Sequence, residues 1–575
     1  MTATADAATT DAHPWLKKYP ADVKWDTRFE PKPLWRILDD AVATYPDTMF
    51  VDFLGKTFSY AEIGAMVSRA AKGFNAIGVG KGVKVGLFLP NCPQFVIAYY
   101  GVLKAGGTVV NYSPLYSEPE LEHQIEDSHT DVMVTLNLNA LYPKMERLLP
   151  RTRLKKLIIG TMPEVLPFLK SLLFPLAKRK DVARVPDDER HIWFKDLLDN
   201  DGAYTPVAVD PLEDIAVLQY TGGTTGVSKG AMLTHANLAA NAEQSRLMFS
   251  TCDEGKETFL GVLPLFHVFA MTSVMNMAIK MGAGIIMHPR FELGAVMKDI
   301  TKKKPTVMQG VPTMFLAMAN HPKIQDYDLS SLKGCISGGA PLPVEVKQKF
   351  ETLSGCTVVE GYGLTESSPV VSCNPMEGEN KPGSIGLPAP ATEIVVVDRE
   401  DPHKVLPLGE DGEICVIGPQ VMKGYWNRPE ATADTIVDGR LRTGDVGYMD
   451  RDGYTFIIDR MKDLILAGGF NVYPRTVEEA IYQHPAVEEV TVIGVPDAYR
   501  GEAPKAFVKL RPNEDLTEQG LIEFLRDRLG KHELPRQVEF RAELPKTMIG
   551  KLSKKELVAE ETAKHAARHE GKGAE

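Results

Sequence analysis

Five runs of β-branched and other apolar residues constrain the fold most: VKVGLFLP (83–90), DVMVTL (131–136), KKLIIG (155–160), IAVLQYT (215–221) and AGIIMHP (283–289). They read as buried strands, and the segments between them leave room for crossover helices, as at 94–105. Buried strands joined by helices describe an α/β region of doubly wound parallel sheets. Such sheets need large cores. The composition supplies them, with 44% hydrophobic and 25% charged among 575 residues, which excludes a mainly disordered chain.

The pattern changes near Gly383. SIGLPAP, TEIVVVD, GEICVIG and TFIIDR are short strands punctuated by Gly, Pro and Asp, the mark of a small antiparallel sheet or barrel over about 383–458. From about Lys462, strands VTVIGV (490–495), AFVKL (506–510) and VEFRAEL (538–544) alternate with amphipathic helices at 475–484 and 518–529. The expected organisation is therefore an extended N-terminal segment (1–28), a large unit (29–459), a junction (460–463), a smaller α+β unit (464–565) and a frayed tail (566–575).

Lys+Arg number 65 and Asp+Glu 76, a net charge of −11. That balance offers no global attraction for nucleic acid. Six cysteines never form a CxxC pair, so neither a disulfide framework nor a zinc knuckle is expected. The N-terminus lacks the basic and apolar regions of a signal peptide. The most apolar stretch, 268–287, is interrupted by Asn276, Lys280 and glycines and fails as a membrane span. A cytoplasmic protein is the expectation. One local feature runs against the acidic whole. Arg151, Arg153, Lys155 and Lys156 precede an apolar helical pattern at Val165, Leu169, Leu172, Leu173 and Leu176, followed by Lys178-Arg179-Lys180. Such a segment suits peripheral contact with an anionic membrane at its inner face. Pro167 and Pro175 interrupt it, and a core-facing helix with a solvated end is the alternative.

The densest chemical signal is Tyr220-Thr221-Gly222-Gly223-Thr224-Thr225-Gly226-Val227-Ser228-Lys229-Gly230. Glycines let backbone N–H groups converge, and hydroxyls plus a lysine add donors, so the loop suits a polyphosphate. It is not a P-loop, because Lys229 is followed by Gly230. Residues 226–230 do match the G-x-S-x-G nucleophile elbow, but an elbow turns directly off its strand, and here the strand ends earlier.

With PLFHVFA (264–270), SGGAPLP (337–343), GYGLTE (361–366), RTGDVG (442–447), DRMKDLILAGGFNVYP (459–474) and PKTMIGK (545–551) following in order, the chain resembles the adenylate-forming superfamily over about residues 30 to 560. The run GPQVMKGYWNRPEAT and the AGGFNVYP form bring it nearest to bacterial long-chain fatty-acid–CoA ligases. The resemblance implies activation of a carboxylate by ATP to acyl-AMP, then transfer to CoA, with a C-terminal domain that swings about Lys462. It implies that Thr221, Gly222, Gly223, Thr224, Thr225, Gly226, Ser228 and Lys229 grip phosphates. Glu366, with Thr225, would hold Mg²⁺, and Thr365 would donate to the α-phosphate. Gly339, Ala340, Gly361, Tyr362 and Gly363 would form the adenine side, with Tyr362 stacking on the base. Asp445 and Arg460 would meet the ribose. Lys551 would act at the leaving group. His267, on its own a core histidine, would orient the carboxylate. Val268, Phe269, Met271 and Thr272 would line the acyl tunnel, unless that cluster is plain core. Gly468, Gly469 and Phe470 would face CoA.

The resemblance leaves open a homodimer, a carrier protein as acceptor, a medium-chain or aromatic acid, and a catalytically idle acyl- or nucleotide-binding protein. Long-chain synthetases commonly carry Trp and His just before TGD, where this chain has Arg440 and Arg442. That departure loosens any inference about chain length.

Overall fold

The computed structural model describes residues 13–221, 228–467, 470–497, 500–547 and 550–570. Two largely parallel sheets carry the large unit, as the apolar runs require. In the first, the spatial order is His191–Trp193, Lys156–Gly160, Thr130–Leu136, Lys84–Leu87, Thr108–Asn111, Ile215–Tyr220 and Gly230–Thr234. All neighbours are parallel except the last pair. The second sheet has nine strands, and its parallel centre runs from Thr357–Gly363 through Gly334–Gly338, Val307–Gly310, Thr258–Gly261 and Gly284–Met287 to Met49–Phe53. Antiparallel pairs close both its edges.

The helix Pro93–Lys104 is buried at every residue, as expected of a helix that is apolar all round. It lies close to Tyr60–Ala76, since a Cβ on Gly101 would stand 2.7 Å from that of Ala70. Ser59 caps the Tyr60–Ala76 helix. Its hydroxyl accepts from the Glu62 N–H, and Glu62 reaches back to the Ser59 N–H, a reciprocal cap.

The β-rich part is a five-stranded antiparallel sheet containing Glu393–Val397, Gly412–Ile417 and Arg440–Met449. Its pairing does not run into a ring, so the open-sheet form of the expectation is the one found. Beyond Lys462, a second apolar core centres on Ile465, Val477, Val490, Val508 and Leu521, around another five-stranded sheet.

Two local findings add to the sequence reading. The segment after the glycine-rich loop forms a strand, Gly230–Thr234, before the helix begins at His235. The helix Phe168–Ala177 has no buried residue, and its leucine stripe faces away from the core. No helix among the described residues is long and apolar enough to cross a membrane.

Candidate active site

The expected motifs gather at the carboxyl ends of parallel strands, where open α/β sheets bind ligands. Thr221 follows Ile215–Tyr220, Gly339 follows Gly334–Gly338, and Thr365 and Glu366 follow Thr357–Gly363.

At the neck of the glycine-rich loop, the Thr221 N–H donates to the Lys229 carbonyl at 2.9 Å. The Ser228 hydroxyl donates back to the Thr221 carbonyl at 2.5 Å. That bond commits the Ser228 proton to the main chain, and the loop runs into a strand. Both features remove the nucleophile-elbow reading. Gly222, Gly223, Thr224, Thr225 and Gly226 lie outside the described residues.

The neck is braced from a segment to which the motif reading assigned no role. Asp127 accepts from the Tyr220 hydroxyl at 2.6 Å and from Arg428 at 2.7 Å. The Trp426 indole donates to the Asp127 carbonyl at 3.0 Å. One residue earlier, the Tyr425 hydroxyl donates to Glu366 Oε1 at 2.6 Å, and the Met422 N–H donates to the Glu366 carbonyl. The Lys229 ammonium lies 4.9 Å from the centre of the Tyr425 ring. Residues 422–428 therefore join the neck of the glycine-rich loop to Glu366. Their only sequence signal was the run GPQVMKGYWNRPEAT.

Asp445 is 3% exposed. Its Oδ2 accepts from the Tyr362 hydroxyl at 2.5 Å and its Oδ1 pairs with Arg460 Nε at 2.9 Å. The turn that carries it is held from behind. Thr443 Oγ1 donates to the Ile414 carbonyl and accepts from the Asp445 N–H. Glu413 Oε1 accepts the Gly444 N–H, while its Oε2 is paired with Arg442 at 2.7 Å. Arg442 thus braces the turn through Glu413. Below the loop that follows Gly334–Gly338, Glu360 Oε1 accepts the Leu342 N–H at 2.7 Å, and burial pushes its carboxyl pKa up. A Cβ on Gly363 would stand 2.0 Å from the Pro369 carbonyl oxygen, which explains glycine there. Ala340 lies beside Gly339 in the same loop.

The second unit reaches this crevice through Lys551. The Thr313 hydroxyl donates to the Gly550 carbonyl at 3.0 Å. Lys551 then lies against Gly339, which has φ +83°. Burial and the nearby Arg460 charge lower the Lys551 pKa to about 8. His267 Nδ1 accepts the Phe269 N–H at 3.3 Å, which places the ring proton on Nε2. Burial, with Lys551 adding to it, lowers the His267 pKa to about 3, so the imidazole is neutral.

Val268, Met271 and Thr272 are buried. Phe269 is half-buried, with its ring so near Gly338 that a Cβ there would stand 2.9 Å away. Met271 begins a π-helical turn, Met271–Asn276, a distortion frequent at functional sites. Lys462 lies on the turn Met461–Asp463, its pKa lowered by burial and Arg460. Phe470 is exposed and stacks on His532 at 4.8 Å. Gly468 and Gly469 lie outside the described residues.

Among the described residues no three metal-ligating side chains converge. Mg²⁺ prefers to take one or two carboxylates and complete its shell with phosphates and water, and Glu366 fits that use.

Comparison with known proteins agrees with this geometry. Residues 38–426 match the AMP-binding enzyme family, and residues 476–551 match the AMP-binding enzyme C-terminal domain. A long-chain-fatty-acid–CoA ligase of Bacillus subtilis (strain 168) is 46% identical over 96% of this chain and 99% of its own length. One from Escherichia coli O6:H1 is 40% identical, covering 94% of this chain and 97% of its own. ATP-bound MatB from Rhodopseudomonas palustris superposes with a TM-score of 0.80 at 28% identity, over 91% of this chain and 98% of that one. Two family models in the right order, near full-length relatives and a shared fold lead to one conclusion: the chain belongs to the AMP-binding enzyme family.

Proposed function

We propose that this enzyme activates a long-chain fatty acid with ATP and transfers it to CoA. In the first half-reaction a carboxylate oxygen attacks the α-phosphorus, the bond to the bridging oxygen breaks, and pyrophosphate leaves. In the second, the CoA sulfur attacks the acyl carbon, the bond to AMP breaks, and the thiol proton passes to solvent. The observation that carries this reading is the approach of Lys551, from the second unit, to Gly339 beside His267 and Asp445.

In this reading the loop from Thr221 to Lys229 holds the phosphates, and Tyr362 presents its ring to adenine while its hydroxyl anchors Asp445. Asp445 and Arg460 meet the ribose. Neutral His267 donates from Nε2 to the carboxylate. Lys551 neutralises charge on the leaving group, an electrostatic role in a reaction that is mainly positioning. Glu366, with Thr225, would hold Mg²⁺, which supplies charge neutralisation at the phosphates when bound. Val268, Phe269, Met271 and Thr272 line the acyl end. Lys462 is the hinge, and Gly468, Gly469 and Phe470 face CoA after the second unit turns. Because long-chain acids partition into bilayers, peripheral membrane contact belongs to the same proposal.

A panel of fatty acids with ATP and CoA, read as AMP and thioester, tests it. AMP without thioester, relieved by a carrier protein, would reassign the acceptor. Preference for an aromatic acid over every alkyl acid would reassign the substrate.

A further inference from the structure

The Phe168–Ala177 helix wears its amphipathicity inside out. Phe168, Leu169, Leu172, Leu173 and Leu176 are 78, 70, 64, 57 and 78% exposed. At about 100° per residue they fall in one stripe about 140° wide. The opposite side holds the helix to the body. Phe174 packs on the main core, and the Lys170 ammonium donates to the Leu54 carbonyl at 2.8 Å. A surface helix of a globular protein turns its apolar stripe inward, and a contiguous exposed apolar patch marks an interaction site.

We propose that this helix docks the enzyme on an anionic lipid bilayer, with the five-residue stripe among acyl chains and its cations at the headgroups. Charge selects this occupant. Lys178, Arg179 and Lys180 lie directly after the helix, and the acid that follows, Asp181, pairs with Lys178 at 3.4 Å. The whole chain carries −11, so only a local cationic patch can draw it to a negative surface. A second copy whose helix paired in parallel would bring the two Lys178–Lys180 clusters together, which like charge opposes. The inference deepens the membrane contact of the proposed function. It rests on that reading only for the cargo, because docking can be measured without substrate.

The test is sedimentation of the full chain with vesicles of phosphatidylcholine alone or with about one-third phosphatidylglycerol. The wild type should bind the anionic vesicles more tightly. Replacing Leu169, Leu172 and Leu173 with Gln should lower the partition coefficient about tenfold or more. Replacing Lys178, Arg179 and Lys180 with Gln should weaken binding to anionic vesicles only, as should high salt. All six side chains are exposed, so thermal unfolding and turnover of a water-soluble short-chain acid should be unchanged. Equal vesicle binding by the wild type and the leucine variant would overturn the proposal, as would no binding to either vesicle. A wild-type dimer that the leucine variant splits would overturn it in favour of a second copy. Vesicle binding that persists while fatty-acid turnover fails would remove the proposed function and leave the docking surface standing.

Discussion

Lys551 lies so close to the Gly339 backbone that a Cβ on Gly339 would stand 2.4 Å from the lysine Cε. Gly339 also has φ +83°, which side chains other than glycine's rarely adopt. Gly339→Ala should therefore displace the lysine and slow adenylation about tenfold or more, while Lys551→Ala should slow it about 10²–10³-fold. Thioester formation from supplied acyl-AMP should be largely intact in both. Pyrophosphate exchange and single-turnover thioester assays separate the two steps, and equal loss in each would refute the division of labour.

The lowered Lys551 pKa sets a pH dependence. With its pKa at about 8, the lysine is a cation below that pH and neutral above it. The value of kcat/KM for ATP, which reports the free enzyme, should fall as pH rises through about 8. Bound polyphosphate stabilises the cation, so the matching limb in kcat should lie at higher pH. His267, lowered to about 3, adds no limb near neutrality. An alkaline limb that is unmoved in Lys551→Arg would show that another group titrates.

Tyr425 should matter without touching substrate. Its hydroxyl donates to Glu366 Oε1 at 2.6 Å, and a hydrogen bond to a charged group contributes about 1.5–3 kcal/mol. Tyr425→Phe keeps the ring beside Lys229 and removes that bond. We expect kcat/KM for MgATP to fall about tenfold or more, with a higher Mg²⁺ requirement. Asp127→Asn, which weakens the brace to Tyr220 and Arg428, should raise KM for ATP more than it lowers kcat. A loss confined to thermal stability in both variants would make the brace structural only.

Met271 is buried in the π-helical turn, so the acyl end should respond to its size. If the chain is enclosed there, each added methylene contributes about 0.8 kcal/mol, roughly a fourfold gain in kcat/KM per carbon. Met271→Trp should shift the optimum toward shorter acids and leave KM for ATP unchanged. A chain-length profile unmoved by the substitution would place the acyl group elsewhere.

Much of this molecule was legible from the chain alone, because short-range physics carries it. Runs such as VMVTL and AVLQY hold enough apolar surface to demand burial wherever they lie. The ordered motifs brought Glu366, Asp445 and Lys551 into view together. Other features depend on which distant segments meet. Nothing local in Asp127 marks it as the acceptor for both Tyr220 and Arg428, residues 93 and 301 positions away. Arg442 read as a departure from a family pattern, and only the fold shows it holding Glu413 behind the Asp445 turn. The 168–177 helix is the plainest case. Its periodicity was visible in the sequence, but periodicity fixes only the angle of a stripe about its own axis. Whether that stripe faces the core or the solvent depends on how the helix is mounted. Phe174 and the Lys170–Leu54 bond turn it outward.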